Sequence, residues 1–217
     1  FFLLGPATRW NAFGASAFAA LGVMARPTMI VFALLALSCM WRSRRKSLPY
    51  FLVPPLIGVC ALLSYNLGLL DAVGGARWTK YLALPSFEFL TGLLVSPSRG
   101  LLIYTPFAAL AVWGIWCRRT DRRGWLPHLA VGMGAYLLLY SSYEGWWGGA
   151  VYGPRMLTDV MPAMALCAVP AAERLLSSWS GRAAFAVLAL WGVAVQAVGV
   201  FFDDNQWNNS PIKVTSA

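Results

Sequence analysis

The sequence predicts an all-α fold, a polytopic transmembrane helix bundle of about six or seven spans, and three observations carry that prediction. Hydrophobic residues make up 59% of the 217 residues and charged residues only 12%, whereas soluble domains are about 45–50% apolar and about 25% charged. The apolar residues fall in long runs, and the basic residues gather in every second connection between those runs. A soluble domain is therefore excluded, and the lipid bilayer is the expected surrounding.

Seven apolar runs are the candidate spans, and a spanning helix needs about 20 residues, with a range near 17–25. The first two runs are short, and they could instead form one long helix that is kinked at Arg26-Pro27. The other five have the composition and length of full spans. The runs lie at 12–25, 27–41, 49–69, 100–117, 125–142, 156–172 and 183–202.

The basic residues predict the orientation of the spans, because cytoplasmic connections carry an excess of Lys and Arg. We place Arg9 and the segments 41–46, 117–123 and 173–182 inside. These carry the whole formal net charge of +9, so the charged residues on the outer side sum to zero. The outer connections are 70–98, 143–155 and the tail 203–217, and we expect functional side chains on that side.

The charge and the cysteines exclude two further classes of function. No basic stretch is long or interleaved with aromatic residues in a soluble segment, so nucleic acid is not an expected partner. The four cysteines form no Cys-x-x-Cys pair and have no histidine near them, which argues against a zinc site or a disulfide framework. They are Cys39, Cys60, Cys117 and Cys167.

Three apolar segments that enter the bilayer from outside begin with Pro and Arg, namely at Arg26-Pro27, Pro97-Ser98-Arg99 and Pro154-Arg155. An Arg in the first turn faces the positive end of the helix dipole, which is unfavourable by about 0.3–1 kcal/mol. A bound anion would remove this conflict, because helix N-termini donate N–H groups to phosphates and Arg adds a bidentate fork. Converging ends would therefore form an outer site for a phosphate or pyrophosphate. Alternatively, these Arg side chains reach lipid phosphates, or Arg155 pairs with an acid.

The acids on the outer side are candidates for a general base or for metal binding. Glu144 and Asp159 are the candidate catalytic residues, although Glu144 also suits contact with sugar hydroxyls beside Trp146 and Trp147. Asp159 lies about one turn inside a span, where an acid is either functional or a partner of Arg155. No spacing among the acids defines a metal site, so we assign no metal-binding residues. The outer acids are Asp71, Glu88, Glu144 and Asp159.

Two segments carry a resemblance to a known family. GLLVSPSRGLLIYTP (92–106) and YEGWWGGAVYGPRMLTDVMPAMAL (143–166) resemble bacterial membrane glycosyltransferases of the GT-C superfold, the group akin to protein-mannosyltransferases and lipid A aminoarabinose transferases. GVMARPT (22–28) and SYN (64–66) are similar to further parts of that pattern. The resemblance implies sugar transfer from a polyprenyl-phosphate-linked donor to a glycolipid, glycan or protein acceptor, at the periplasmic face of the bacterial inner membrane.

The same resemblance implies roles for residues on the donor side and a catalytic residue elsewhere. The family's catalytic Asp lies in its first large external loop, and no matching acidic motif precedes Asp71. With the opening Phe-Phe-Leu-Leu, this leads us to expect that residues 1–217 are one transmembrane domain of a longer protein, without its first spans and loop. No cofactor is assigned, and a divalent metal is left open. The residues implied to bind the donor phosphate or sugar are Arg26, Arg99, Tyr104, Trp146, Trp147, Tyr152 and Arg155.

Two other classes of function remain open from the sequence. A transporter or flippase of an anionic lipid or solute could use the same arginines, but it should also have paired broken helices and polar groups near the midplane. The charges here lie at the outer rim instead, which favours the enzyme. A non-catalytic fragment is the third hypothesis, because the expected acidic loop is absent.

Overall fold

The structure is a computed structural model that describes residues 8–43, 45–70, 81–119, 126–149 and 152–202. Within these ranges the regular structure is helical without strands, and one isolated bridge joins Leu82 to Tyr143. The prediction of an all-α fold is therefore confirmed. The chain divides into two compact units, Phe1–Lys80 and Tyr81–Ala217. The tail 203–217 and Asp71 lie outside the described residues.

The described part of the first unit has three α-helices and two short 3₁₀ helices, Pro27–Met29 and Arg45–Ser47. Its α-helices are α1 (Arg9–Ala25), α2 (Ile30–Ser43) and α3 (Leu48–Leu70). In the described part of the second unit, a 3₁₀ helix spans Arg155–Val160. Its α-helices are α4 (Phe87–Val95), α5 (Leu101–Tyr104), α6 (Phe107–Cys117), α7 (Leu126–Ser141), α8 (Met161–Leu175) and α9 (Trp179–Phe201).

Three helices are long and apolar enough to cross a membrane, namely Arg45–Gly68, Arg155–Leu175 and Trp179–Phe201. Three shorter apolar helices accompany them in the described residues, at Pro27–Trp41, Phe107–Cys117 and Leu126–Ser141. The predicted run 100–117 is interrupted after α5, because Pro106 lacks an N–H and disfavours helical backbone at the residue before it. The six or seven spans stay a prediction.

The first unit is built on a helical hairpin. Arg26 has extended backbone with φ −145° and ψ 111°, and it separates α1 from the 3₁₀ turn that leads into α2. Ala12 near the start of α1 packs with Met40 near the end of α2 and with Phe51 in α3. The alternative of one kinked helix across Arg26-Pro27 is therefore wrong. Because the start of α1 meets the end of α2, Arg9 and the described residues that follow Met40 lie at the same end.

The second unit is organised by close packing of α6 against α8. A Cβ on Gly114 of α6 would lie 1.9 Å from the carbonyl oxygen of Cys167 in α8, so only glycine allows this approach. Further along both helices, Nη1 of Arg174 lies 3.0 Å from Sγ of Cys117. Small residues let membrane helices approach closely. The two helices run parallel, and the segments that precede them, 96–106 and 152–160, meet at one end.

Candidate functional site

The turn between α4 and α5 carries Arg99, one of the predicted site residues, and holds its side chain inside the protein. Arg99 is only 8% exposed, and its Nη1 donates a hydrogen bond to the carbonyl oxygen of Trp147. Burial lowers the pKa of the Arg99 guanidinium, and nearby Tyr104 partly offsets this. Arg99 thus fixes the backbone of the 143–149 loop.

The 143–149 loop is rich in glycine because its aromatic side chains lie directly against backbone. The ring of Trp146 covers Gly92 in α4, where a Cβ would lie 2.5 Å from Cη2 of the indole. Trp147 contacts Trp146 edge-on at 6.4 Å between ring centroids and is 36% exposed. Gly148 has φ +76°, which glycine adopts without the Cβ penalty. Trp146 is therefore largely used for packing, and Trp147 presents more of its ring.

Residues 152–154 also place a glycine directly against an aromatic ring. Gly153 has φ +79°, and a Cβ there would lie 3.2 Å from Cδ1 of Tyr104. Tyr104 is buried and meets the ring of Tyr152 edge-on, with 5.0 Å between centroids. The hydroxyl of Tyr152 donates to the carbonyl oxygen of Val195 in α9, at 2.8 Å. The two tyrosines thus fix the backbone immediately before Arg155.

Arg155 lines an open cleft, which we name the Arg155 cleft. Its side chain is exposed, and its guanidinium has no hydrogen-bond or ion-pair partner among the described residues. The cleft has a volume of about 450 Å³. Its polar lining comes from Arg155, Thr105, Thr158 and Gln196, and Tyr152, Gly153, Pro154 and Met161 complete the wall. A positive charge that lacks a protein partner in such a cleft is suited to an anionic ligand.

The candidate acids do not neutralise that arginine. Asp159 accepts a hydrogen bond of 2.6 Å from the hydroxyl of Tyr136, a fully buried residue of α7. The alternative in which Arg155 pairs with an acid, Asp159 or Glu144, is therefore not found among the described residues. Glu144 is exposed, and its backbone N–H donates to the carbonyl oxygen of Tyr81 at 2.9 Å. Glu88 is exposed in the first turn of α4.

The sequence predicts free N–H groups at helix N-termini beside the three arginines, and the backbone hydrogen bonds show that this is wrong for their own amides. The amide of Arg99 donates to Ser96 and that of Arg155 to Gly153, so neither is available to a ligand. Arg99 precedes a helix of only four residues, and Arg155 begins a 3₁₀ turn rather than an α-helix. The amide of Arg26 donates to Gly22, at the end of α1 in the first unit. Only the Arg155 side chain among these three lines the described cleft.

Gln196 is a residue whose part in the site the sequence does not reveal. A glutamine within a span predicts a hydrogen bond to a neighbouring helix, yet Gln196 is exposed and lines the Arg155 cleft. Thr105 and Thr158 also line the cleft, and neither of them is among the residues predicted from the sequence. The Pro106 break that brings Thr105 to the cleft is visible in the sequence and could have signalled it.

No family model, curated protein or solved structure matches this chain. The described residues also hold no group of three or more His, Cys, Asp or Glu side chains arranged to bind a metal ion. The Arg155 cleft is therefore the feature of this chain from which a function is inferred.

Proposed function

We propose that this chain is the later transmembrane part of a multi-pass glycosyltransferase of GT-C type, with six or seven spans, in the bacterial inner membrane. In this proposal the enzyme transfers a sugar from a polyprenyl-phosphate donor to a glycolipid, glycan or protein acceptor at the periplasmic face. The observation that carries the proposal is the guanidinium of Arg155, which has no partner among the described residues and lines a cleft at the end of a long apolar helix.

The composition of the cleft suits a phosphate ester. Arg155 supplies a fixed positive charge with planar donors, which match phosphate oxygens in pairs. Thr105 and Thr158 add hydroxyl groups, and Oγ1 of Thr158 donates to the carbonyl oxygen of Arg155 at 2.9 Å, which ties the two residues together. Trp147 and Glu144 are exposed on the nearby 143–149 loop and are the candidates for contact with the sugar.

The proposed step is a displacement at the anomeric carbon. The bond from that carbon to the phosphate oxygen breaks, the phosphate keeps the electron pair, and an acceptor oxygen forms the new bond. Arg155 would stabilise the charge that remains on the departing polyprenyl phosphate, and such fixed donors are most effective where charge develops. The acceptor proton goes to a carboxylate base, which we expect outside this chain. No step is assigned to a metal.

The first prediction concerns Arg155→Ala in the complete protein. We expect turnover to fall about 10²–10³-fold, as when one oxyanion-hole donor is removed, while Arg155→Lys keeps part of the activity because its charge is retained. The measurement is release of polyprenyl phosphate from a radiolabelled polyprenyl-phosphate sugar. Arg118→Ala is the matched control, since Arg118 is an exposed arginine at the far end of α6. Normal turnover in Arg155→Ala would contradict the proposal.

A transporter or flippase of an anionic lipid is the second candidate, and one observation favours it. The helix pair α5 and α6 is broken at Thr105-Pro106, and Thr105 lines the cleft, as broken helices do in many transporters. The break lies beside the cleft at one helix end, however, and the described residues provide no acid there as a coupling group. Movement of an anionic lipid across vesicles without loss of its sugar would favour this candidate over the enzyme.

A further inference from the structure

A second cavity adjoins the Arg155 cleft in the described part of the second unit. It has a volume of about 550 Å³ and lies between Phe107 of α6 and the face of α9 from Ala189 to Phe201. Its lining is apolar except for Gln196, which also lines the Arg155 cleft. We name it the α9 groove. A polar compartment and an apolar compartment therefore share one side chain as their boundary.

Gln196 marks the level at which the two compartments meet. It lies near the C-terminal end of α9, and Ala189 is seven residues earlier, which corresponds to about 10 Å along a helix. The Gln196 amide has no hydrogen-bond partner among the described residues. An amide in an apolar helix is expected to find a partner, and a polar group at the boundary would supply one.

The most apolar stretch of α9 is not covered by other described residues. None of the residues in the most apolar 18-residue stretch of α9 is buried in the structure. The helix is held instead by specific contacts, including one in which Nε1 of Trp191 donates to the carbonyl oxygen of Ile103 at 2.9 Å. A hydrocarbon chain could therefore enter the groove sideways, while its head group stays in the cleft.

We infer that the Arg155 cleft and the α9 groove form one continuous site for an amphiphile. The anionic phosphate lies at Arg155, the polar linkage lies at Gln196, and the first isoprene units of the chain lie along α9 towards Ala189. The choice of an isoprenoid as occupant rests on the proposed function. The placement rests on the charge of Arg155, the apolar lining of the groove and the shared position of Gln196.

The test is photolabelling of the complete protein in lipid nanodiscs by undecaprenyl phosphate with a diazirine on its proximal isoprene units. We expect labels on α9 between 189 and 201. Gly192→Leu fills the groove, because a Cβ on Gly192 meets no atom within 4 Å, and we expect it to reduce labelling about tenfold, equal to about 1.4 kcal/mol. Gly134→Leu is the matched control, because its Cβ also points into open space, and we expect it to label normally.

Two further variants separate this inference from the proposed function. Gln196→Glu places a negative charge beside the phosphate at nearly unchanged side-chain volume, so we expect weaker labelling. This variant keeps the groove testable if the larger side chain of Gly192→Leu impairs folding. Arg155→Ala should also reduce labelling. If Arg155→Ala reduces it but Gly192→Leu and Gln196→Glu do not, the groove is wrong and the phosphate site stands.

Two other outcomes would overturn either the phosphate site or the isoprenoid assignment. If labelling survives in Arg155→Ala, the phosphate site of the proposed function is overturned. If a diazirine-labelled phosphatidylglycerol labels α9 as strongly and competes equally, an ordinary membrane lipid occupies the groove and the isoprenoid assignment is wrong.

Discussion

Two neighbouring regions of the second unit use an arginine after a proline in opposite ways. The anchored region, residues 96–100 and 143–149, buries Arg99 and binds its guanidinium to the carbonyl oxygen of Trp147. The open region, residues 152–160, leaves the Arg155 guanidinium exposed in a cleft, without a protein partner among the described residues. One arginine therefore holds the structure together, and the other is available to a ligand.

The local sequence does not decide the role of such an arginine. Both residues follow a proline, and both backbone amides are satisfied by carbonyl groups a few residues earlier. The two arginines differ in the residues that surround them. The carbonyl oxygen of Trp147 lies within reach of Arg99, whereas Asp159, the acid nearest in sequence to Arg155, accepts its hydrogen bond from Tyr136. Removal of each arginine should therefore affect different properties.

The largest effect on stability is expected for Arg99→Ala. The substitution leaves the carbonyl oxygen of Trp147 without its charged donor, and such hydrogen bonds contribute about 1.5–3 kcal/mol. We expect the free energy of unfolding in detergent to fall by about that amount. For Arg155→Ala we expect a change within about 0.5 kcal/mol, as for ordinary surface substitutions. The measurement is reversible unfolding of both variants in mixed micelles, and equal stability losses would remove the distinction between the two regions.

The sequence predicts most of the fold of the second unit but not its exact element ends. Apolar runs near 125–142 and 183–202 became α7 and α9, because the hydrophobic effect and backbone hydrogen bonding both favour helices there. The run 100–117 was broken at Pro106, whose missing N–H the sequence already shows. The extended backbone of Arg26 depends on the packing of Ala12 against Met40 and could not be predicted locally.

The candidate site was predicted in part, for a similar reason. Charge and sidedness indicate Arg155 and the glycine-rich loop, but burial of Arg99 depends on a carbonyl 48 residues away in sequence. Whether an arginine binds a ligand or a backbone oxygen is thus a long-range property. Gln196 shows the same limit, since its exposure to both compartments follows from how α9 lies beside α6.

A smaller effect is expected for Gly153→Ala in the open region. Alanine at φ +79° is strained by about 1–3 kcal/mol, and its Cβ would also press on the ring of Tyr104 at 3.2 Å. We expect a loss of stability in that range, with weaker polyprenyl phosphate binding because the backbone before Arg155 is displaced. Gly134→Ala is the control: it lies within α7 in open space and should gain up to about 1 kcal/mol. If both variants behaved alike, the positive φ of Gly153 would not be a requirement of the cleft.

The smallest expected effect is a pH dependence in the anchored region. Burial raises the pKa of Tyr143, and the neighbouring Tyr81 and Tyr140 raise it further. Below the unfolded pKa of about 10, Tyr143 keeps its proton in both the folded and the unfolded state, so its raised pKa does not change the free energy of unfolding. As the pH rises through that value, the unfolded chain loses its proton first, and stability falls until the folded pKa is passed. With both proteins referred to their stability at pH 7, Tyr143→Phe should therefore lose less stability than the unmodified protein as the pH rises through about 10. The measurement is the unfolding midpoint in detergent at each pH, and parallel curves would show that Tyr143 titrates freely and that this loop is more open than its contacts indicate.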